Sequence, residues 1–246
     1  RFDDFGTSAV TLELSEGGTF RFDQSDSSNS GHPLRFSTTS DGTHGGGSEY
    51  TTGVTTNGTP GSSGAYTEIT VAASAPTLYY YCSSHSGMGG QANTPTTNSF
   101  SNFAGSIQSN ISPNTNAGFS IVSFTGTGAA ATVGHGLGST PEMIIFKNRT
   151  DSVAWPVYNK TTGSSKYLQL QSNAAQSANS AVMFNSTDPT SSVFSVKTYN
   201  GSNGSSDDLI AYCFTSIKGY SKIGSYTGNG STDGAFVYTG FKPGWV

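Results

Sequence analysis

The chain is 246 residues long, enough for one large domain or two of ordinary size, each with its own core. Charged residues make up 11% of it and the net charge is −4, against roughly 25% charged residues in an ordinary soluble domain. That balance excludes an electrostatic nucleic-acid binder, which needs a Lys/Arg stripe to displace phosphate counterions, while 12% aromatics argue against disorder.

Ser, Thr, Asn and Gly replace the missing charge, Gly alone 32 times. A chain kept soluble by hydroxyls and amides is of the kind found in exported proteins and virions. No run of about 18 apolar residues exists, so no membrane span is expected. The opening Arg1-Phe2-Asp3-Asp4-Phe5 is not a signal peptide. With no initiator Met, the N-terminus reads as processed or as cut from something longer.

Along the chain the dominant signal is alternation with period two, which predicts strands and no amphipathic helix. Val10, Leu12 and Leu14 share one face, Phe20 and Phe22 another, and Leu34 with Phe36 and Ile69 with Val71 repeat the pattern. Leu78-Tyr79-Tyr80-Tyr81-Cys82 reads as a strand buried on both sides. Ser15-Glu16-Gly17-Gly18 and Thr59-Pro60-Gly61 are turns. From Gln91 to about Gly118 the composition shifts to Asn, Thr, Ser and Pro, which places the domain boundary there. Strands are expected again at 119–124, 143–146, 153–158, 167–170, 182–184, 193–196 and 209–214. Short strands with Gly/Ser punctuation mean an all-β fold, sandwich or barrel.

One segment echoes another. Ser123-Phe124-Thr125-Gly126-Thr127-Gly128 recurs 102 positions on as Ser225-Tyr226-Thr227-Gly228-Asn229-Gly230, with Gly138 and Pro141 matching Gly240 and Pro243, and Ile144 matching Val246. This is either the start of a second module of about a hundred residues, from about 223, or a pair of similar hairpins.

The chemistry concentrates in His32 and, fifty residues later, Cys82-Ser83-Ser84-His85-Ser86-Gly87-Met88. A thiolate, two imidazoles and a thioether form a soft ligand set suited to copper, with Cys and both His in a trigonal plane and Met as a weak axial ligand. Cys82 ends a strand, and Cys-x-x-His-x-x-Met is short enough to turn three side chains toward one point. His44 and His135 have no evident ligand partners, and read as loop and turn residues. Cys82 and Cys213 lie in different predicted domains, which argues against a disulfide.

At these residues the sequence resembles the cupredoxin family, over about residues 9 to 90. Val10–Phe20 is similar to the family's strand, glycine turn and strand; His32-Pro33-Leu34-Arg35-Phe36 takes the place of its first ligand. Tyr80-Tyr81-Cys82-Ser83-Ser84-His85 resembles its cysteine loop in the short, amicyanin-like form. The resemblance implies a Greek-key sandwich with His32, Cys82, His85 and Met88 as metal ligands. Copper there would serve electron transfer or act as a structural staple, or the site would stand empty. The family's additional first strand has only Arg1–Ala9 to form it, so it lies upstream or comes from a neighbouring subunit.

Phe119–Gly126, Val133–Lys147, Asn200–Gly204 with Leu209–Phe214, and Gly240–Val246 resemble a β module of phage tail fibres, marine phage proteins being closest in flavour. This resemblance covers about residues 105 to 246 and implies a second β-sandwich domain used in oligomeric virion appendages. Trp155, Tyr158, Tyr199 and Tyr238 are candidate stacking faces for a host-surface glycan, or else core residues. No Gly-x-Ser-x-Gly, His-Glu-x-x-His or phosphate-binding loop is present, and Asp23 with Asp26 and Asp207 with Asp208 sit in turn-like contexts, so no enzyme is expected.

The expectation is therefore a cupredoxin-like domain at 1–92, a linker at 93–118 and a tail-fibre-like β-sandwich at 119–246. The protein is expected in a virion or outside the cell, as a homo-oligomer among other fibre proteins. The competing readings are a copper electron-transfer protein with a β anchor, and a cellular surface filament or adhesin subunit.

Overall fold

A computed structural model describes residues 9–96, 99–178 and 181–244. It is an all-β protein in two compact units, Arg1–Ser101 and Asn102–Val246.

The first unit is a sandwich of two sheets. One carries β1 (Leu12–Glu13), β7 (Gly89–Asn93), β6 (Leu78–Cys82) and β3 (Leu34–Ser37) in that order, with β1 parallel to β7 and the other pairs antiparallel. The other carries β2 (Thr19–Asp23), β5 (Tyr66–Thr70) and β4 (Val54–Asn57), all antiparallel. Val10, Leu12, Leu14, Phe36, Ile69, Val71, Leu78 and Tyr80 are buried, as their alternation predicts. The sheets are joined by Phe22 edge-on to Phe36 at 5.6 Å and by buried polar groups. Thr67 Oγ1 donates to the Leu34 carbonyl (3.0 Å), and Gln24 Oε1 accepts from Leu34 N (3.1 Å) while its Nε2 donates to the His32 carbonyl (2.9 Å). Gln24 thus fixes the backbone on both sides of Pro33. Residues 1–8, all but the last of the segment available for the family's additional first strand, lie outside the described residues.

The second unit is built on a sheet in the order β14 (Leu168–Gln169), β13 (Pro156–Asn159), β12 (Met143–Asn148), β16 (Asp208–Phe214), β10 (Phe119–Thr125) and β9 (Ser109–Asn114), all antiparallel, with β8 (Phe100–Asn102), the strand at which the units divide, next in order. A two-stranded sheet of β11 (Ala131–Gly134) and β15 (Val193–Val196) packs on it, with Phe194 edge-on to Phe146 at 5.4 Å. Strands β10, β12 and β16 alternate buried residues with half-buried or exposed ones at period two. The α-helix among the described residues is the single turn Asn200–Asn203. Asn203 is fully buried; its Oδ1 accepts from Thr127 N (2.9 Å) and its Nδ2 donates to the Ala129 and Lys197 carbonyls (2.7 and 2.5 Å). One amide thereby ties the Gly126-Thr127-Gly128 turn to the helix.

Several expectations are corrected. Residues 93–118 are not a linker: β9 lies inside the second unit's sheet, paired with β10 from Asn114↔Phe119 to Ser109↔Phe124. Its buried positions are Ser109 and Ile111, so only one apolar side chain marks the inward face. Residues 182–184 form a turn, not a strand; Met183 and Phe184 are buried in succession, and Asn185 and Ser186 follow at positive φ (52° and 50°). The strand expected at 153–158 begins at Pro156, after a turn in which Asn148 Oδ1 accepts from Thr150 N and Asp151 N, both at 2.8 Å. Residues 225–230 form no strand among the described residues, and Tyr226 is exposed where its counterpart Phe124 is buried.

Three ion pairs occur among the described residues: Arg21–Glu68 (2.8 Å), Arg35–Glu49 (3.2 Å) and Lys160–Glu142 (2.5 Å). Each is partly open to solvent.

Candidate metal centre

Cys82 is the last residue of β6, registered against Leu34 of β3, and His32 stands two residues before Leu34. Side chains two apart on a strand share a face, so the β3–β6 pairing aims His32 and Cys82 to the same side. Ser83 N donates to the Pro33 carbonyl at 3.0 Å and extends this pairing past the strand end. On the other side of β6 the chain turns through Ser83–Met88 into β7. Cys82 N donates to the Met88 carbonyl at 2.9 Å, next to the Tyr81↔Gly89 pair. The turn requires glycine at two points. Gly87 sits at φ +73°, and a Cβ at Gly89 would come within 2.0 Å of the Tyr80 carbonyl.

The result is a cluster of three donors. Cys82 Sγ lies 3.5 Å from His85 Nδ1 and 3.8 Å from His32 Nδ1. The ligand atoms of all three residues fall within 4.8 Å of one another. The two imidazole rings face each other at 4.6 Å, tilted by 34°. Bonds of about 2.0 Å to nitrogen and 2.3 Å to sulfur, spread at tetrahedral to trigonal angles, place such donor pairs about 3.5–3.8 Å apart. Both sulfur–nitrogen distances thus match those around a shared metal ion. Cys82 is buried, His32 half-buried and His85 exposed, which leaves the centre at the surface end of the sandwich. Met88 stands opposite Cys82 across the β6–β7 hairpin, with its side chain 46% exposed.

A loop distant in sequence braces the site. His44 Nε2 meets the Cys82 carbonyl at 3.2 Å, and the His44 ring lies edge-on to Tyr81 at 6.4 Å. Asp41 Oδ2 accepts from Ser86 Oγ (2.8 Å) and Oδ1 from Gly87 N (2.9 Å). These bonds, Ser86's first, hold the Asp41 carboxyl below its ordinary range. Sequence reasoning passed over Asp41 and read His44 as a loop residue. Nothing in Ser40-Asp41-Gly42-Thr43-His44 signals partners 38 to 46 residues on.

His135 is fully buried. Its Nδ1 accepts from Leu137 N and its Nε2 faces the Thr190 carbonyl, both at 3.2 Å. It is a structural histidine. Cys213 is a free buried thiol in β16, pushed well up by burial, and Cys82 is likewise unbridged. The acidic pairs serve turns: Asp23 accepts from Ser25 N, Asp26 caps a short 3-10 helix, and Asp207 accepts from Asn148 Nδ2. Tyr158 is a core residue, its hydroxyl directed at Asp188, whereas Tyr238 is exposed. Among the described residues, His32, Cys82 and His85 form the one cluster of this kind.

Residues 32–246 match the sequence model of a family described as a domain of unknown function, DUF7483. The chain belongs to that family. The match begins on His32, contains Cys82, His85 and Met88, and runs across both units. No curated protein and no solved structure matches the chain.

Proposed function

We propose that this protein is a structural, tail-fibre-like component of a virion or other extracellular surface assembly, and that its first unit holds a copper ion. Cys82, His32 and His85 are the strong ligands and Met88 the weak fourth one. The observation that carries the metal reading is the spacing of the three donors around one point. Copper is favoured over zinc by Met88, whose backbone carbonyl meets Cys82 N at the mouth of the same hairpin, since a Cys/His/His plane with a long Met bond is a copper arrangement. The wider role is supported by the resemblance of the second unit to tail-fibre modules and by a composition poor in charge and rich in amides and hydroxyls.

The decisive experiment adds Cu(II) to the purified chain. An intense visible thiolate-to-copper band is expected, absent in Cys82→Ser and weakened in His85→Ala. No band and no calorimetric uptake of Cu(II) overturn the metal reading. Reversible reduction and reoxidation of the loaded protein would move the assignment to electron transfer. A chain that remains monomeric overturns the assembly half of the proposal.

A further inference from the structure

We infer that Asp41 is a positioning residue of the metal centre: its carboxylate clamps Ser86 and Gly87 and so determines where His85 stands. This rests on the metal-binding reading above. Two of the three donors are placed by the sheet, because Cys82 ends β6 and His32 leads into β3. The third is not. His85 lies in the exposed run Ser84–Met88, where few packing contacts oppose loop freedom. Asp41 supplies the missing restraint, one oxygen on a side-chain hydroxyl and the other on a backbone N–H, both from the two residues after His85.

The clamp itself is anchored. Its loop is fastened by Ser37 Oγ, which donates to the Ser48 carbonyl (2.8 Å) and accepts from Thr39 N (3.0 Å). Gly42 packs so closely on the Tyr81 ring that a Cβ there would lie 2.4 Å from it. Beside it His44 meets the Cys82 carbonyl, so one loop grips both ends of the Cys82–Gly87 segment. Asp41 also stands at φ +59°, in the left-handed region that favours glycine. Glycines fill positions 42, 45, 46 and 47 of this loop, yet position 41 carries a carboxylate with both oxygens engaged.

The backbone angle supplies a clean test. Asp41→Gly removes the oxygens without adding strain, and Asp41→Asn keeps an acceptor for Gly87 N. Ser86→Ala deletes one of the two contacts from the other side. Each variant is titrated with Cu(II) and followed by its visible spectrum, and the metal-free forms by amide exchange at Gly87. Asp41→Gly is expected to bind Cu(II) about 10-fold more weakly, the low end of the range for losing a group that orients a ligand, because Asp41 acts on the two residues after His85 and not on its ring. Its charge-transfer band should shift and its Gly87 amide exchange faster. Asp41→Asn should recover most of the affinity, and Ser86→Ala should fall between. Unchanged affinity and spectrum in Asp41→Gly, with wild type binding Cu(II), overturn this inference alone. Absence of binding in wild type overturns the metal reading and this role with it.

Discussion

A buried imidazole carries its own pH signature, and His135 is a clear case. Burial pushes it below its ordinary value near 6.5, outweighing the opposing contact with the Thr190 carbonyl. The folded chain thus keeps His135 neutral at a pH where the unfolded chain protonates it. Unfolding takes up protons, so this contribution is complete above about pH 6.5 and is lost as the pH falls toward the depressed folded value. Metal-free protein should melt progressively lower between pH 7.5 and 5.5, and His135→Gln should melt lower at pH 7.5 but with a flatter slope. Equal slopes in a thermal-melt series would remove His135 from the account. The carboxylates of Asp23, Asp41 and Glu142, all held low, act in a separate and more acid window. At this scale the three donors were legible, because Cys82 ends an obvious strand and His85 follows within one turn. Asp41 was not, since its link to Ser86 and Gly87 exists only after β3 and β6 have paired.

Strands announce themselves when apolar residues take every inward position. Those at Phe119–Thr125, Met143–Asn148 and Asp208–Phe214 come close, with Val122 and Phe124, Ile144 and Phe146, and Leu209, Ala211 and Cys213 facing inward and Ser120 and Asn148 the polar exceptions, and each was readable from its alternation. Strand β9 spends an inward position on Ser109, whose Oγ donates to the Gly134 carbonyl at 2.8 Å, leaving Ile111 as the single apolar marker. Polar satisfaction substitutes for burial there, and composition alone misreads it as a linker. Strand β11, Ala131-Thr132-Val133-Gly134, is short and weakly apolar for the same reason. The opposite error arose at residues 182–184, where two consecutive buried side chains imitate a strand inside a turn. Ile111→Ala measures which description of β9 is right. A fully buried isoleucine truncated in a core costs about 2–5 kcal/mol, whereas one in a solvated linker costs next to nothing. A urea midpoint indistinguishable from wild type would restore the linker.

For the molecule as a whole, the all-β class was legible from period-two alternation, and the division at Ser101 falls inside 91–118, where the boundary was expected; what composition hid is that strands, not a linker, lie in that stretch. Residues 222–244 form no strand among the described residues and hold Tyr226, Phe236 and Tyr238 at 71%, 90% and 72% exposure. Three large aromatics held in water within one segment are apolar area that association would cover. Light scattering on the full chain at tens of micromolar should therefore report an oligomer, and Phe236→Ser with Tyr238→Ser should lower its order; a wild-type monomer contradicts the assembly. The three half-open ion pairs have a consequence of their own. In molar salt the range of a charge shrinks to about 3 Å, so folds fastened by many surface charges loosen in brine. This one is fastened by neutral amides, hydroxyls and packed rings, such as Asn203 beneath its turn and Phe146 against Phe194. Its melting temperature should therefore change little between dilute buffer and molar salt.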